Sequence, residues 1–284
     1  MRAFEQFSDK GASFWAFVKF VSESLGYTRR GYGMVKSYEY DDIYKLCIKH
    51  NIAVDSNFIG DVVAYSNLRA QCLNEYARNM LMDVNSAQQE FQRLYSIYEQ
   101  RSLQCALPFN KQRGSKRNFA FFTCIINILT ELTIREITGD ESLTGFDDDP
   151  RGLMFVMDEN NNLIGSSSRR FDGAFPSILS PKIVWEIKEY YYTTSFGSRI
   201  ADGIYETQLD GLEFMDLKNR TGKKIFHVLF IDAYQTWWIQ GKSYLCRVID
   251  ALNAGQVDEV IIGREVFSRW PNLLKEVVSA EQMV

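Results

Sequence analysis

Histidine is almost absent. Only His50 and His227 occur in 284 residues, far apart and with no cysteine or histidine at zinc spacing. That argues against a zinc enzyme or a histidine-based metal nuclease. Cysteine is sparse as well: Cys47, Cys72, Cys105, Cys124 and Cys246 are an odd set, irregularly spaced, with no CxxC pair. The simplest reading is a reduced, intracellular protein, placed in the cytoplasm. No apolar run approaches the ~18–20 residues that span a bilayer. The opening MRAFEQFSDKGASFWAF lacks the basic start, apolar stretch and cleavage site of a signal peptide. No membrane partner is expected. A basic excess is missing too: the net charge is -4 and the pI about 5.4. This excludes a uniformly basic nucleic-acid coat and leaves room for a local basic groove. What the chain does have is apolar and aromatic content, 46% and 14%. That is the composition of a folded chain with ample core, one or two domains at roughly 150 residues each.

Charge is unevenly placed. Residues 1–120 hold 16 basic and 12 acidic side chains, and residues 121–284 hold 16 and 24. From Gln100 to Thr130 there is no acid, but there are Arg101, Lys111, Arg113, Lys116 and Arg117. Such a cluster is either a solvated loop or a phosphate-contacting segment; Lys111, Arg113, Lys116 and Arg117 are the candidate DNA contacts. Residues 1–117 read as mainly helical, from three- and four-residue apolar spacing in Phe14, Phe17, Val18 and Val21 and again in Phe91, Leu94, Tyr95 and Tyr98. A role in DNA recognition or dimerisation is assigned to this region.

From residue 118 the texture changes. Phe119 to Ile137 predicts a long buried helix ended by Gly139. Three strands follow, in LMFVMD, RRFDGAF and KIVWEIKEYYY, then helix, strand, helix, strand and helix. The expected fold is α/β, a mixed central sheet flanked by helices, with an antiparallel meander feeding right-handed crossovers.

Three residues stand out. Glu186 and Lys188 lie two apart on one predicted strand, so both point to the same face. A Glu and a Lys on an otherwise apolar strand are costly unless paired or holding a metal. Asp172, on the preceding short strand, can be brought beside Glu186 by the connection FPSILSP. Asp172, Glu186 and the Ile187 carbonyl would then offer hard oxygen ligands to Mg²⁺. Lys188 would orient a metal-bound water, lower its pKa, or take its proton if its own pKa were depressed. The competing reading of Glu186 and Lys188 is a structural ion pair.

The pattern Asp172…Glu186-Ile187-Lys188, on two strands behind a long helix, resembles the PD-(D/E)xK nuclease superfamily. Within it, the size and the helical N-terminal half are most similar to type II restriction endonucleases. The resemblance covers residues 118–284, and Phe171 stands where the usual proline would be. It implies a restriction-endonuclease-like core with an N-terminal helical region. The implied metal ligands are Asp172 and Glu186, with Lys188 at the attacking water. It also implies a further acid from the first long helix, for which Glu131 is the candidate. The Gln-then-Tyr motif of RecB-like members is incomplete, with Gln208 present but Leu212 in the tyrosine's place. The implied reaction is Mg²⁺-dependent hydrolysis of double-stranded DNA. A homodimer is expected, because cutting both strands usually takes two sites. Arg169 and Arg170 flank Asp172 and are candidate phosphate contacts. Thr193, Thr194, Ser195 and Arg199, in the loop and helix start after the strand, are candidates too. The alternatives are a phage-defence effector nuclease switched on by a signal or partner, and an inert DNA- or protein-binding module.

Overall fold

The most apolar strand, β5 (Phe226–Asp232), is buried along nearly its whole length. A strand covered on both faces belongs in the middle of a sheet. The computed structural model, which describes residues 1–28, 33–111, 118–142, 144–192 and 197–279, puts it there. β5 pairs in parallel with β4 (Ile183–Glu189) and with β6 (Glu259–Ile262). β3 (Gly173–Phe175) joins β4 antiparallel, giving a mixed sheet of order β3-β4-β5-β6. Gly173 faces Trp185 in this register, and a Cβ there would stand 2.1 Å from the indole ring.

Parallel neighbours require crossovers. α7 (Ser198–Thr221) connects β4 to β5, and α8 (Lys242–Asn253) connects β5 to β6. Ile200, Ile204, Leu245 and Ile249 of these helices pack with Leu229, Ile231, Val260 and Ile262 on one face. The other face is covered by α5 (Val84–Gln100), α6 (Phe121–Thr138) and α9 (Arg269–Ser279). There Trp185, Phe230 and Ile261 pack with Phe91, Leu94, Phe122, Ile125 and Trp270. Thus α5, which the sequence grouped with the N-terminal helical region, shares its core with the sheet. α6 ends as expected, with Gly139 left-handed at φ 69°.

α1 (Ala12–Leu25), α2 (Tyr40–His50) and α3 (Ser56–Gln71) share a separate core that includes Phe14, Val18, Ile43, Ile59 and Tyr65. Asp55 caps α3 by accepting from Phe58 N at 2.8 Å. α3 runs through a π-helical turn, Cys72–Ala77, into the short α4 (Arg78–Met80). The fully buried Arg69 donates to Asp250 at 2.8 and 2.9 Å, fastening α3 to α8.

The expected meander is not there. β1 (Phe155–Met157) pairs with β2 (Leu163–Ser166) as a separate hairpin. Asp158 sets the turn, accepting from the backbone N–H groups of Asn160 and Asn162 at 2.8 Å each. β2 is short, partly exposed and lacks a β-branched run, so period-two alternation has nothing to register. Among the described residues no helix is long and apolar enough to cross a membrane.

Candidate functional site

Strand alternation makes β4 two-faced. Glu186 and Lys188 share a face, as the spacing predicts, and α7 lies over them. Gly203 of α7 allows this closeness: a Cβ there would stand 3.3 Å from the Lys188 Cε. The Lys188 ammonium donates to Glu186 at 3.0 Å and to Glu206 at 3.3 Å. On the far side of Glu186, Arg169 approaches at 2.8 Å and continues to Asp210 at 2.9 Å. Five charges therefore alternate in sign: Glu206, Lys188, Glu186, Arg169, Asp210. Glu186 and Lys188 are almost entirely buried, and the array meets solvent through Glu206 and Arg169.

This array decides the protonation of Lys188. Burial alone would lower its pKa, but the Glu186 charge outweighs it and holds the ammonium above its ordinary value. Lys188 is therefore a fixed cation, and the expected option of a proton-accepting Lys188 is withdrawn. Arg169 is likewise committed to Glu186 and Asp210, not available as a simple phosphate contact. Arg170 is exposed.

Asp172 stands one residue ahead of β3. Its N–H donates to Trp185 O at 3.0 Å, and its carboxylate accepts from Ile187 N at 2.7 Å. On a pleated strand, the Ile187 carbonyl faces the same side as its N–H. The surrounding protein and the nearby Glu186 charge push the Asp172 carboxyl up to about 7. Asp172 and Ile187 line an opening of about 210 Å³ together with Lys111, Asp148, Asp149 and Glu189. Glu189, on the opposite face of β4 from Lys188, accepts from the Thr123 N–H and hydroxyl at 3.0 Å each, in the first turn of α6. Burial pushes its carboxyl up to about 7.

Glu131 is not part of this opening. Its oxygens accept from Gln104 N and Cys105 N and pair with Arg135, so it anchors the turn before α6. The expectation that it adds a metal ligand is corrected accordingly. Arg113, Lys116, Arg117, Thr193, Thr194 and Ser195 lie outside the described residues, as does the Arg199 side chain. Tyrosine and tryptophan side chains around the strand pack together. Tyr190 stacks on Trp237, and Trp237 Nε1 donates to Lys188 O at 3.2 Å.

Sequence reasoning missed Glu189, Asp148, Glu206 and Asp210. Asp210 had a readable signal. Ile200, Ile204, Thr207, Asp210, Phe214 and Leu217 recur at three- and four-residue steps, which puts an acid on the buried face of α7.

A divalent cation is implied by the resemblance. Among the described residues, no group of three or more His, Cys, Asp or Glu side chains is placed to hold a metal ion. The donor chemistry nonetheless fits one: two carboxylates set opposite each other by the strand register, one with its pKa raised by burial and by the other's charge. Glu186 Oε1 already faces Arg169 at 2.8 Å, so a cation bound there would share that oxygen with the guanidinium.

Residues 82–277 match a family described as Domain of unknown function (DUF7687), and the chain belongs to that family. Residues 1–76 match a second, described as Domain of unknown function (DUF7690). No curated protein and no solved structure matches the chain.

Proposed function

We propose that this chain is a Mg²⁺-dependent endonuclease of restriction-endonuclease-like fold that hydrolyses double-stranded DNA. Within that class the reading is a sequence-specific type II enzyme working as a homodimer. One observation carries the proposal: the β3–β4 register sets Asp172, one residue ahead of β3, opposite Glu186, with Lys188 on the Glu186 face of the strand. Asp172, Glu186 and the Ile187 carbonyl would hold the cation, which supplies charge stabilisation at phosphorus and an activated water. Lys188, fixed as a cation, orients that water and balances charge at the scissile phosphate. Arg169 holds the Glu186 carboxylate in place. Lys111, at the rim of the opening, is the described member of the basic segment that would follow the DNA backbone.

Digestion of plasmid DNA with Mg²⁺, with and without EDTA, tests this. Discrete metal-dependent fragments are expected, and Asp172→Ala or Lys188→Ala should each lower cleavage by roughly 10²-fold or more. Circular dichroism would confirm that each variant folds. If both folded variants cut like the parent chain, the site is wrongly assigned. Unselective degradation that needs another protein would favour the phage-defence effector.

A second reading rests on the closure of the charge array. Glu186 and Lys188 are buried and ion-paired beneath α7, which is also how an inert binding module would use them. It requires that no metal-dependent cutting occur and that Lys188→Ala affect melting alone.

A further inference from the structure

Glu206 differs from the other acids of the Lys188 array in where it stands. Lys188 has Glu186 at 3.0 Å, and Arg169 has Glu186 at 2.8 Å and Asp210 at 2.9 Å. Glu186 and Asp210 are almost wholly enclosed, so they fix the two cations from inside the protein. Glu206 meets the same cations from the solvent side. One of its oxygens, Oε2, lies 3.3 Å from the Lys188 ammonium and 4.0 Å from Arg169 Nη1, and its side chain is 47% exposed. The line of charges thus closes into a ring of Lys188, Glu186, Arg169 and Glu206, with one anion buried and one facing water.

The two anions are held unequally. Removing Glu186 would strand buried cations, whereas an exposed carboxylate contributes little to such a pair and exchanges readily for another anion. The cations also have donors to spare. An ammonium has three N–H groups, and among the described residues Lys188 uses its own on Glu186 and Glu206. Arg169 reaches Asp210 and Glu186 through Nε and Nη2. Among the described residues its Nη1 donates only to Arg170 O, at 3.4 Å. An anion in the place of Glu206 would therefore meet one ammonium and one guanidinium N–H, donors well suited to phosphate oxygens. Arg169 would keep its hold on Glu186 and Asp210 throughout.

From this geometry we infer that Lys188 Nζ and Arg169 Nη1 form an oxyanion site for a phosphate group, and that Glu206 fills it until the phosphate arrives. The ligand class is a phosphoryl oxyanion, either a backbone diester or free phosphate. The Glu206 carboxylate leaves by rotation of its own side chain into the solvent it already touches, so the backbone need not move. It competes with the phosphate for the same two donors. That the phosphate belongs to DNA rests on the nuclease reading; the oxyanion site itself does not.

Melting of the full chain in inorganic phosphate, against chloride of matched ionic strength, tests the site. Glu206→Ala empties the place at an exposed position of α7, where alanine suits a helix. Glu159→Ala, at the exposed turn of the β1–β2 hairpin, removes the same charge elsewhere. At about 50 mM phosphate, Glu206→Ala is expected to gain about 2 °C more than the parent chain, and Glu159→Ala to match the parent. Fluorescence anisotropy with a labelled DNA duplex in EDTA separates the two sources of phosphate. Glu206→Ala should bind the duplex about fivefold more tightly than Glu159→Ala does. A phosphate shift in Glu206→Ala without tighter duplex binding would support the site and assign it to free phosphate. Equal phosphate shifts in Glu206→Ala and the parent, or in Glu206→Ala and Glu159→Ala, would overturn the inference whether or not the chain cuts DNA.

Discussion

The two faces of β4 handle charge in opposite ways. Under α7, Glu186 and Lys188 are buried within an alternating array, and each has an opposite charge at 3.3 Å or less. Toward α6, Glu189 accepts the hydrogen bonds of a helix start, and Asp172 at the edge accepts one from a backbone N–H. The pairing holds Lys188 charged, whereas burial pushes the Glu189 carboxyl, and burial with the Glu186 charge the Asp172 carboxyl, up to about 7. β4 thus carries locked ions under α7 and a carboxyl poised near neutrality toward α6, with Asp172 poised likewise at its edge.

The sharpest way to break this contrast is to remove the central cation. Lys188→Met leaves Glu186 with Arg169 alone, and losing one partner of a buried pair should cost about 3–5 kcal/mol in urea unfolding. Adding Glu186→Gln should recover part of that loss. A double variant no more stable than the single would show that the array is not coupled.

A smaller effect is expected from His227, which lies on β5 beside Val184 on the α7 side of the sheet. Burial pushes its pKa down to about 4, and its Nδ1 lies 3.0 Å from Gln256 O. The folded chain therefore resists a proton that the unfolded chain accepts near 6.5. Stability should be full above pH 6.5 and fall as pH drops toward 4, by up to about 3 kcal/mol. His227→Gln should flatten that limb in pH-dependent melting, and an unchanged slope would place the acid sensitivity elsewhere.

The smallest effect belongs to the other face. Thr123→Val removes one of the two hydrogen bonds that Thr123 gives Glu189. A loss of about 1–2 kcal/mol is expected from denaturant unfolding. A loss as large as that of Lys188→Met would erase the distinction between the faces.

Local signals made much of this legible. The alternation of β4, the Gly139 stop and the central burial of β5 each depend on a few adjacent residues, and the sequence shows them. What covers Lys188 does not. Glu206 reaches Lys188, and Asp210 reaches Arg169, only because the crossover returns α7 across that face, a non-local event. Glu131 was legible as an acid within an apolar helix. Arg135, four residues on, was a legible partner, but the backbone N–H groups of residues 104 and 105 were not, since no side-chain pattern reveals them.

The margins of the sheet bear on assembly. Ala174 in β3 exchanges both backbone hydrogen bonds with Asp147, and Val260 in β6 donates to Met1 O and accepts from the Met1 amino group. Each outer strand is therefore already matched at a position where an incoming strand would begin to pair. A second copy cannot add itself by continuing this sheet without first displacing those segments.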